Sequence, residues 1–473
     1  MTKLKQVHFV GIKGVGMASL AIILKEAGLI VTGSDDNGQY ITDSSLQKAG
    51  INFYEGFSGN HINKAELLIA TGAHGGFENI EVITAKKRGI QVVTFAEAVG
   101  MFMEGSITGR SQKAISVAGT HGKTTTTAMI ATILQKCNLD PSYLIGTSYI
   151  PTLINSGHFG TGEFFVVEAD EYASEPIYDK RAKFLWHKPA MAIITNIEHD
   201  HPDIYPTLES FISAFDKFIH SLPLESTLIV NGDDLNIRRI INNIKLRVIT
   251  FGLNQNNDVI ISEVKSDLES TRFRLKYLNH NFGEFILNVA GIHNCMNATA
   301  AIIASYETGL SVDSIRKSIY QFTGSKRRLE LLGKLKSGGI LYDDYAHHPT
   351  EIQKTLKALR EIYPHKKIIS IFQPHTYSRT KVLFKDFGIS FTDSDVVILM
   401  DIFPSAREKT DFSISSSKLA DEIRKHHPNV IFLPQIDNVV KYFDEFPPSG
   451  DDLVITIGAG DVYKLGQKLQ VIS

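Results

Sequence analysis

The sequence predicts an α/β protein of three units, each built around a largely parallel sheet. Three observations lead there. At 473 residues the chain exceeds one ordinary domain. Short apolar runs alternate with longer amphipathic stretches, as strands and covering helices do. Two glycine turns, Gly11-Ile12-Lys13-Gly14-Val15-Gly16 and Gly119-Thr120-His121-Gly122-Lys123, each stand between a strand-like run and a helical one.

The first unit, residues 1–108, opens with an apolar run at 7–10, the first glycine turn and a helical pattern over 17–27. Further strands are expected at 29–32 and 67–70, and the polar, glycine-containing stretch 104–113 marks a boundary. The second unit, 109–323, repeats the order with a strand at 114–118 and a helix over 124–136, then buried strands at 164–167 and 191–195. From 227 to 286 the pattern alternates and becomes more polar, which predicts an antiparallel insertion; a helix over 297–307 follows. The third unit, 324–473, has strands at 340–342, 367–372, 396–400, 430–433 and 453–457. Helical patterns such as 351–362 and 416–425 separate them, giving a doubly wound, Rossmann-like order.

Composition narrows the function. With 49 basic and 51 acidic side chains the net charge is −2, so neither nucleic acid nor an anionic membrane surface is an expected partner. The two cysteines, Cys137 and Cys295, lie far apart, which argues against a disulfide scaffold or a zinc cluster and fits a reducing cytoplasm. No apolar run approaches the roughly 20 residues that span a bilayer, and no signal-peptide pattern opens the chain. We expect a cytoplasmic protein, monomeric or a weak homodimer.

The segment Gly119-Thr120-His121-Gly122-Lys123-Thr124-Thr125 carries the strongest chemical signal. Phosphate oxygens need convergent donors at close range; glycines let the backbone approach, and a helix N-terminus offers unpaired N–H groups. Lys123 would reach the outer phosphates and the Thr124 hydroxyl would ligate magnesium. Val117 stands where the usual phosphate loop has its first glycine, so a plain glycine-rich turn with an exposed lysine is the bland alternative. Two acidic segments follow predicted strands, Glu168-Ala169-Asp170-Glu171 and Asn196-Ile197-Glu198-His199-Asp200-His201. One such cluster is usually a solvated strand end, but two beside a phosphate loop read as magnesium ligands. His199 and His201 lack the cysteine partners or third histidine of a zinc site.

These segments, with Gly291-Ile292-His293-Asn294, Arg327-Arg328-Leu329-Glu330 and Asp343-Asp344-Tyr345-Ala346-His347-His348-Pro349-Thr350, resemble the Mur ligases in identity and order over nearly the whole chain. The family builds the peptide stem of peptidoglycan in the cytoplasm. Within it the chain looks most like members that join L-alanine to UDP-N-acetylmuramate, on Val7-His8-Phe9-Val10-Gly11-Ile12, Phe372-Gln373-Pro374-His375 with Arg379-Thr380, and Ile457-Gly458-Ala459-Gly460-Asp461. Glu171-Tyr172 and Asp179-Lys180-Arg181-Ala182-Lys183-Phe184 look more like the recycling ligases, which add L-alanyl-γ-D-glutamyl-meso-diaminopimelate to the same nucleotide sugar.

The resemblance implies a role for each motif. Gly11, Gly14 and Gly16 would hold the UDP diphosphate, with Ser34 and Asp35 near the nucleotide and Lys13 adding a phosphate contact. Read alone, that turn fits a dinucleotide site equally, but nothing downstream handles a hydride. ATP would sit on residues 119–125, with His293 and Asn294 at the adenine and Asp343 or Asp344 at the ribose. Thr124 and Glu168 would hold one Mg2+, with His201 in a second-metal region. Lys123, Glu168, His201 and the hinge residues Arg327 and Arg328 would carry catalysis, and His348, Arg379 and Tyr345 would bind the amino acid. Thr376 stands where many L-alanine ligases have a second arginine; Lys381 or Arg407 is the expected substitute, unless the acceptor is larger. Other amide ligases of this fold, such as folate polyglutamate or cyanophycin-type synthetases, and a non-catalytic nucleotide switch are the remaining alternatives.

Overall fold

The computed structural model describes residues 4–472 except 148, 176, 268–269, 405–407, 409 and 470. Three main sheets are present. The first is wholly parallel, in the spatial order Asn52–Glu55, Ile30–Asp35, Gln6–Val10, Leu67–Ala70, Gln91–Thr94. Its central strands are buried on both faces, which is why they read as continuous apolar runs.

The second sheet has ten strands. Its parallel centre sets Met191–Ile194, Lys113–Ala118 and Phe164–Glu168 side by side. The register pairs Ile194 with Ala118 and Val117 with Glu168, so the three strands end together. That alignment delivers the phosphate loop and both acidic segments to one edge, the place where parallel sheets bind ligands.

The antiparallel insertion is shorter than the pattern suggests. Thr227–Asn231 and Arg247–Gly252 are parallel strands that extend the sheet, and only Val259–Ser266, Thr271–Tyr277 and His280–Leu287 meander antiparallel beyond them. Leu228, Ile229 and Val230 are buried on both faces, whereas Thr271–Tyr277 alternates buried and exposed. The polar average over the whole stretch hides that difference.

The third sheet runs Val430–Phe432, Val396–Leu399, Lys367–Phe372, Asp452–Ile457, Ile340–Asp344, Glu330–Leu335, Val471–Ile472, with the last two antiparallel to their neighbours. Two apolar cores lie on its two faces. The first two sheets, by contrast, share a core: Phe9, Leu20, Phe102 and Met103 pack with Ala114, Leu144, Phe165 and Val167. The helix Val15–Glu26 presses on the strand Gly157–His158 so closely that a Cβ at Gly157 would lie 2.1 Å from the Ser19 carbonyl oxygen. Among the described residues no helix is long and apolar enough to cross a membrane.

Candidate functional site

The helix Lys123–Lys136 begins on the phosphate loop. Gly119 and Gly122 have φ of 131° and 82°, and a Cβ on Gly122 would sit 2.3 Å from Asn297 Oδ1. Both backbone freedom and space therefore demand glycine at 122. Gly122→Ala is expected to cost at least tenfold in ATP affinity with the fold retained, measured by calorimetric titration; unchanged affinity would mean that the nucleotide does not lie on this loop.

The four threonines that follow divide. Thr126 and Thr127 are fully buried in helix packing, while Thr124 and Thr125 face cavities, so only two of the hydroxyls serve a site. The Thr124 hydroxyl donates to Glu168 Oε2 at 3.2 Å and the Gly146 N–H donates to Glu168 Oε1 at 2.5 Å. Burial raises the Glu168 carboxyl against these donors. Lys123 Nζ lies 2.9 Å from both Glu171 oxygens and also donates to the carbonyls of Gly119 and Thr120. Burial alone would lower its ammonium, but Glu171 and Asp170 outweigh that and raise it. His201, at φ 53°, brings Nε2 to 3.4 Å from the same Glu171.

Beside the loop lies a cavity of about 370 Å³, within the range of small-ligand sites. His121, Gly122, Thr125, His293, Asn294 and Asp344 all line it, with Arg328 and Asn297. His293 and Asn294 sit in the first turn of the helix Ile292–Glu307, whose N-cap is Gly291. Burial pushes the Asp344 carboxyl up to about 6, although the N–H groups of Leu329 and Ala346 donate to it.

The paired residues of the third unit point to different places. Arg328 reaches the cavity, but Arg327 turns back: its Nε bonds Asp343 at 2.9 Å and its Nη2 the Gly458 carbonyl at 2.6 Å. Left-handed backbone at Arg327 and Leu329 sends the neighbours in different directions. Asp343 is thereby occupied, and of the two candidate ribose ligands only Asp344 lines the cavity. His348 likewise caps the helix Pro349–Ile362, accepting the Thr350 N–H at Nδ1, while His347 and Tyr345 line the space around Lys123.

Between loop and third unit lies a charge bridge that the sequence did not reveal. His121 places Nδ1 3.1 Å from Glu351 and Nε2 3.4 Å from Glu198, joining the second unit to the third. Burial would lower this imidazolium, yet the two carboxylates raise it to about 9. The contribution to stability is therefore full below the ordinary histidine value of roughly 6.5 and is lost as pH rises through about 9. The melting difference between wild type and His121→Gln is expected to be largest near pH ~6 and to shrink by pH ~10. A difference constant over that range would count against the charged bridge.

The three acceptor candidates do not converge: His348 is held at its helix cap, Tyr345 lines the space around Lys123, and Arg379 alone lines the small cavity described next. Arg379 is buried, with Nε 2.7 Å from Asp200 and Nη1 3.2 Å from His375 Nδ1. A cavity of about 160 Å³ opens beside it, lined by Asp170, Lys183, His201, His375, Thr376 and Arg379. Of the two expected substitute cations, Lys381 pairs with Asp411 in the exposed part of the structure and Arg407 lies outside the described residues.

In the first unit, Gly14 and Gly16 line a cavity of about 150 Å³ with Thr71, Phe95, Ser174 and Lys183. Gly11 stands behind it, where a Cβ would meet Thr71 at 2.4 Å. Asp35 accepts the Lys13 N–H at 2.7 Å and pairs with His74. Ser34 is buried, donating to Glu81 at 2.7 Å, and does not line that cavity. The expected phosphate contact from Lys13 is not made available: its ammonium donates to the carbonyls of Asp36 and Gly38 and packs against Tyr40 and Phe53.

Comparison with known proteins identifies the family of the chain. Three family models match in order: the Mur ligase family catalytic domain over residues 6–106, the Mur ligase middle domain over 117–305, and the Mur ligase glutamate ligase domain over 327–460. The chain is 37% identical to the UDP-N-acetylmuramate–L-alanine ligase of Desulfitobacterium hafniense, over 98% of this chain and 99% of that one. It is 40% identical to the ligase of the same name from Acetivibrio thermocellus, over 98% and 95%. Among solved structures, the UDP-N-acetylmuramate-alanine ligase of Thermotoga maritima superposes with a TM-score of 0.80 at 24% identity, covering 98% of each chain. A murein peptide ligase of Psychrobacter arcticus gives 0.72 at 25%, again over 98% of each. With three domain models in register and such relatives matched end to end, the chain belongs to the Mur ligase family.

Proposed function

We propose that the protein is an ADP-forming ligase that joins L-alanine to UDP-N-acetylmuramate in peptidoglycan synthesis, using ATP. One observation carries the reading. A single cavity is lined by Gly16 from the first unit, Lys123, Glu168 and His201 from the second, and Arg328 and Arg379 from the third. Three substrates can meet there, and the UDP-N-acetylmuramate–L-alanine ligases matched along its length support their identity.

A carboxylate is a poor electrophile, so the lactyl carboxylate first attacks the γ-phosphate, giving an acyl phosphate and releasing ADP. The amine of the amino acid then attacks the acyl carbon, and the tetrahedral intermediate expels phosphate. Positioning and charge neutralisation supply the catalysis, with no protein nucleophile. Lys123 leaves Glu171 for the transferred phosphoryl group, and Arg328 adds a second cation from the third unit. Asp344 holds the ribose, His293 and Asn294 the adenine, and Gly14 and Gly16 let the diphosphate approach the backbone. Thr124 and Glu168 suit magnesium, a hard cation, because their oxygens already converge to 3.2 Å. Bound there, the ion would neutralise phosphate charge, and His201 with Glu171 would face a second one.

The recycling reading draws on the Asp179–Ala182 strand and Lys183 beside it. The relatives matched along nearly the whole chain support the smaller substrate, since they are UDP-N-acetylmuramate–L-alanine ligases. Phosphate release with UDP-N-acetylmuramate and ATP should therefore respond to L-alanine, and weakly to L-serine or glycine. Response to L-alanyl-γ-D-glutamyl-meso-diaminopimelate alone would overturn the reading in favour of recycling.

A further inference from the structure

Lys183 opens the short 3-10 helix Lys183–Trp186 of the second unit, within a segment that looks more like the recycling ligases. Its backbone N–H donates to the Tyr172 carbonyl, which fixes where the side chain starts. The ammonium lies 2.5 Å from Asp170 Oδ2 and 5.6 Å from the centre of the Tyr172 ring, and the side chain is largely buried.

What distinguishes the residue is its position. It lines the cavity of the first glycine turn, with Gly14 and Gly16. It also lines the phosphate-loop cavity, with Lys123 and Glu168. Finally, it lines the small acceptor cavity, with Arg379 and Thr376. Among the described residues it is the one side chain shared by those three cavities. Only one group of the three substrates must approach all three spaces: the lactyl carboxylate, which is tethered to the UDP sugar, attacks ATP and then receives the amine.

Resting on the function proposed above, we propose that Lys183 is a positioning residue for the donor, its ammonium holding the lactyl carboxylate of UDP-N-acetylmuramate at the junction of the three cavities. Asp170 holds the lysine until the donor arrives and then shares it. A flexible ammonium suits this task, because it can follow the oxygen from carboxylate to acyl phosphate as a mobile point charge.

UDP-N-acetylglucosamine is the same nucleotide sugar without the lactyl ether, so the ratio of the two affinities isolates the carboxylate. In wild-type protein UDP-N-acetylmuramate should bind at least about tenfold tighter, which corresponds to 1.4 kcal/mol. Lys183→Met should bring that ratio to within about twofold of one while UDP-N-acetylglucosamine binds as before, and Lys183→Arg should restore much of it. A full ratio in Lys183→Met, an equal fall for both sugars, or a change confined to the KM for L-alanine would each overturn the assignment. Wild-type protein that binds neither sugar would instead overturn the function on which it rests.

Discussion

Lys123→Ala should lower kcat by about 10²–10³ and leave a folded protein. The ammonium is largely buried, stays charged and starts within the phosphate loop, a position that Arg328 and Lys183, on other elements of the same cavity, do not take. Losing one preorganised charge contact to a developing transition state costs roughly 3–4 kcal/mol. Glu171, buried, loses its lysine and keeps only His201 at 3.4 Å, so stability also falls, by up to about 3–5 kcal/mol, a loss that a folded protein with a stability of roughly 5–15 kcal/mol can carry. Phosphate release under saturating substrates, with circular dichroism as the check on folding, measures both halves. Turnover near that of the wild type would remove the loop from the mechanism.

Arg379→Met should raise the KM for L-alanine by about ten- to a hundredfold, the cost of a charge-assisted hydrogen bond of roughly 1.5–3 kcal/mol. It should also loosen the third unit, since Asp200 is left buried without its partner and breaking such a pair costs about 3–5 kcal/mol. Asp200→Asn separates the two effects. It removes the inter-unit charge pair but keeps the guanidinium, so its KM should stay well below that of Arg379→Met. Equal values would make Arg379 a latch between units and not a ligand of the amino acid. An arginine at Thr376 is not a simple remedy, because the Thr376 hydroxyl caps the helix Tyr377–Val382 by accepting the Arg379 N–H, and such caps are worth ~1 kcal/mol.

Local pattern made the strand–turn–helix units legible, and with them the site's outline. Residues 113–136 and the strands before Glu168 and Asn196 announce themselves through β-branched runs followed by glycine, hydroxyl and acidic residues, so their convergence followed from parallel topology alone. Polar pairing was not legible. Asp200 meets Arg379 across 179 positions, and His121 meets Glu351 across units, without any trace in local spacing. Adjacent residues were also indistinguishable: a left-handed backbone turns Arg327 away and leaves Arg328 in the cavity, and the helix start consumes His348 while His347 stays beside Lys123. Lys13 misled for a related reason, since a lysine in a glycine turn looks free until Gly38 and Asp36 offer their carbonyls.

The apolar layer between the first two sheets sets the unit of cooperativity. Phe102 meets Phe165 edge-on at 4.7 Å within one apolar cluster that holds residues of both units, so disorder in either strips buried surface from the other. The third sheet carries its own cores and touches the rest largely through charged side chains. Opening it costs ion pairs, which water can re-solvate, whereas opening the first seam costs buried hydrocarbon, which water cannot. The third unit is therefore expected to loosen first on heating, ahead of the seam between the first two.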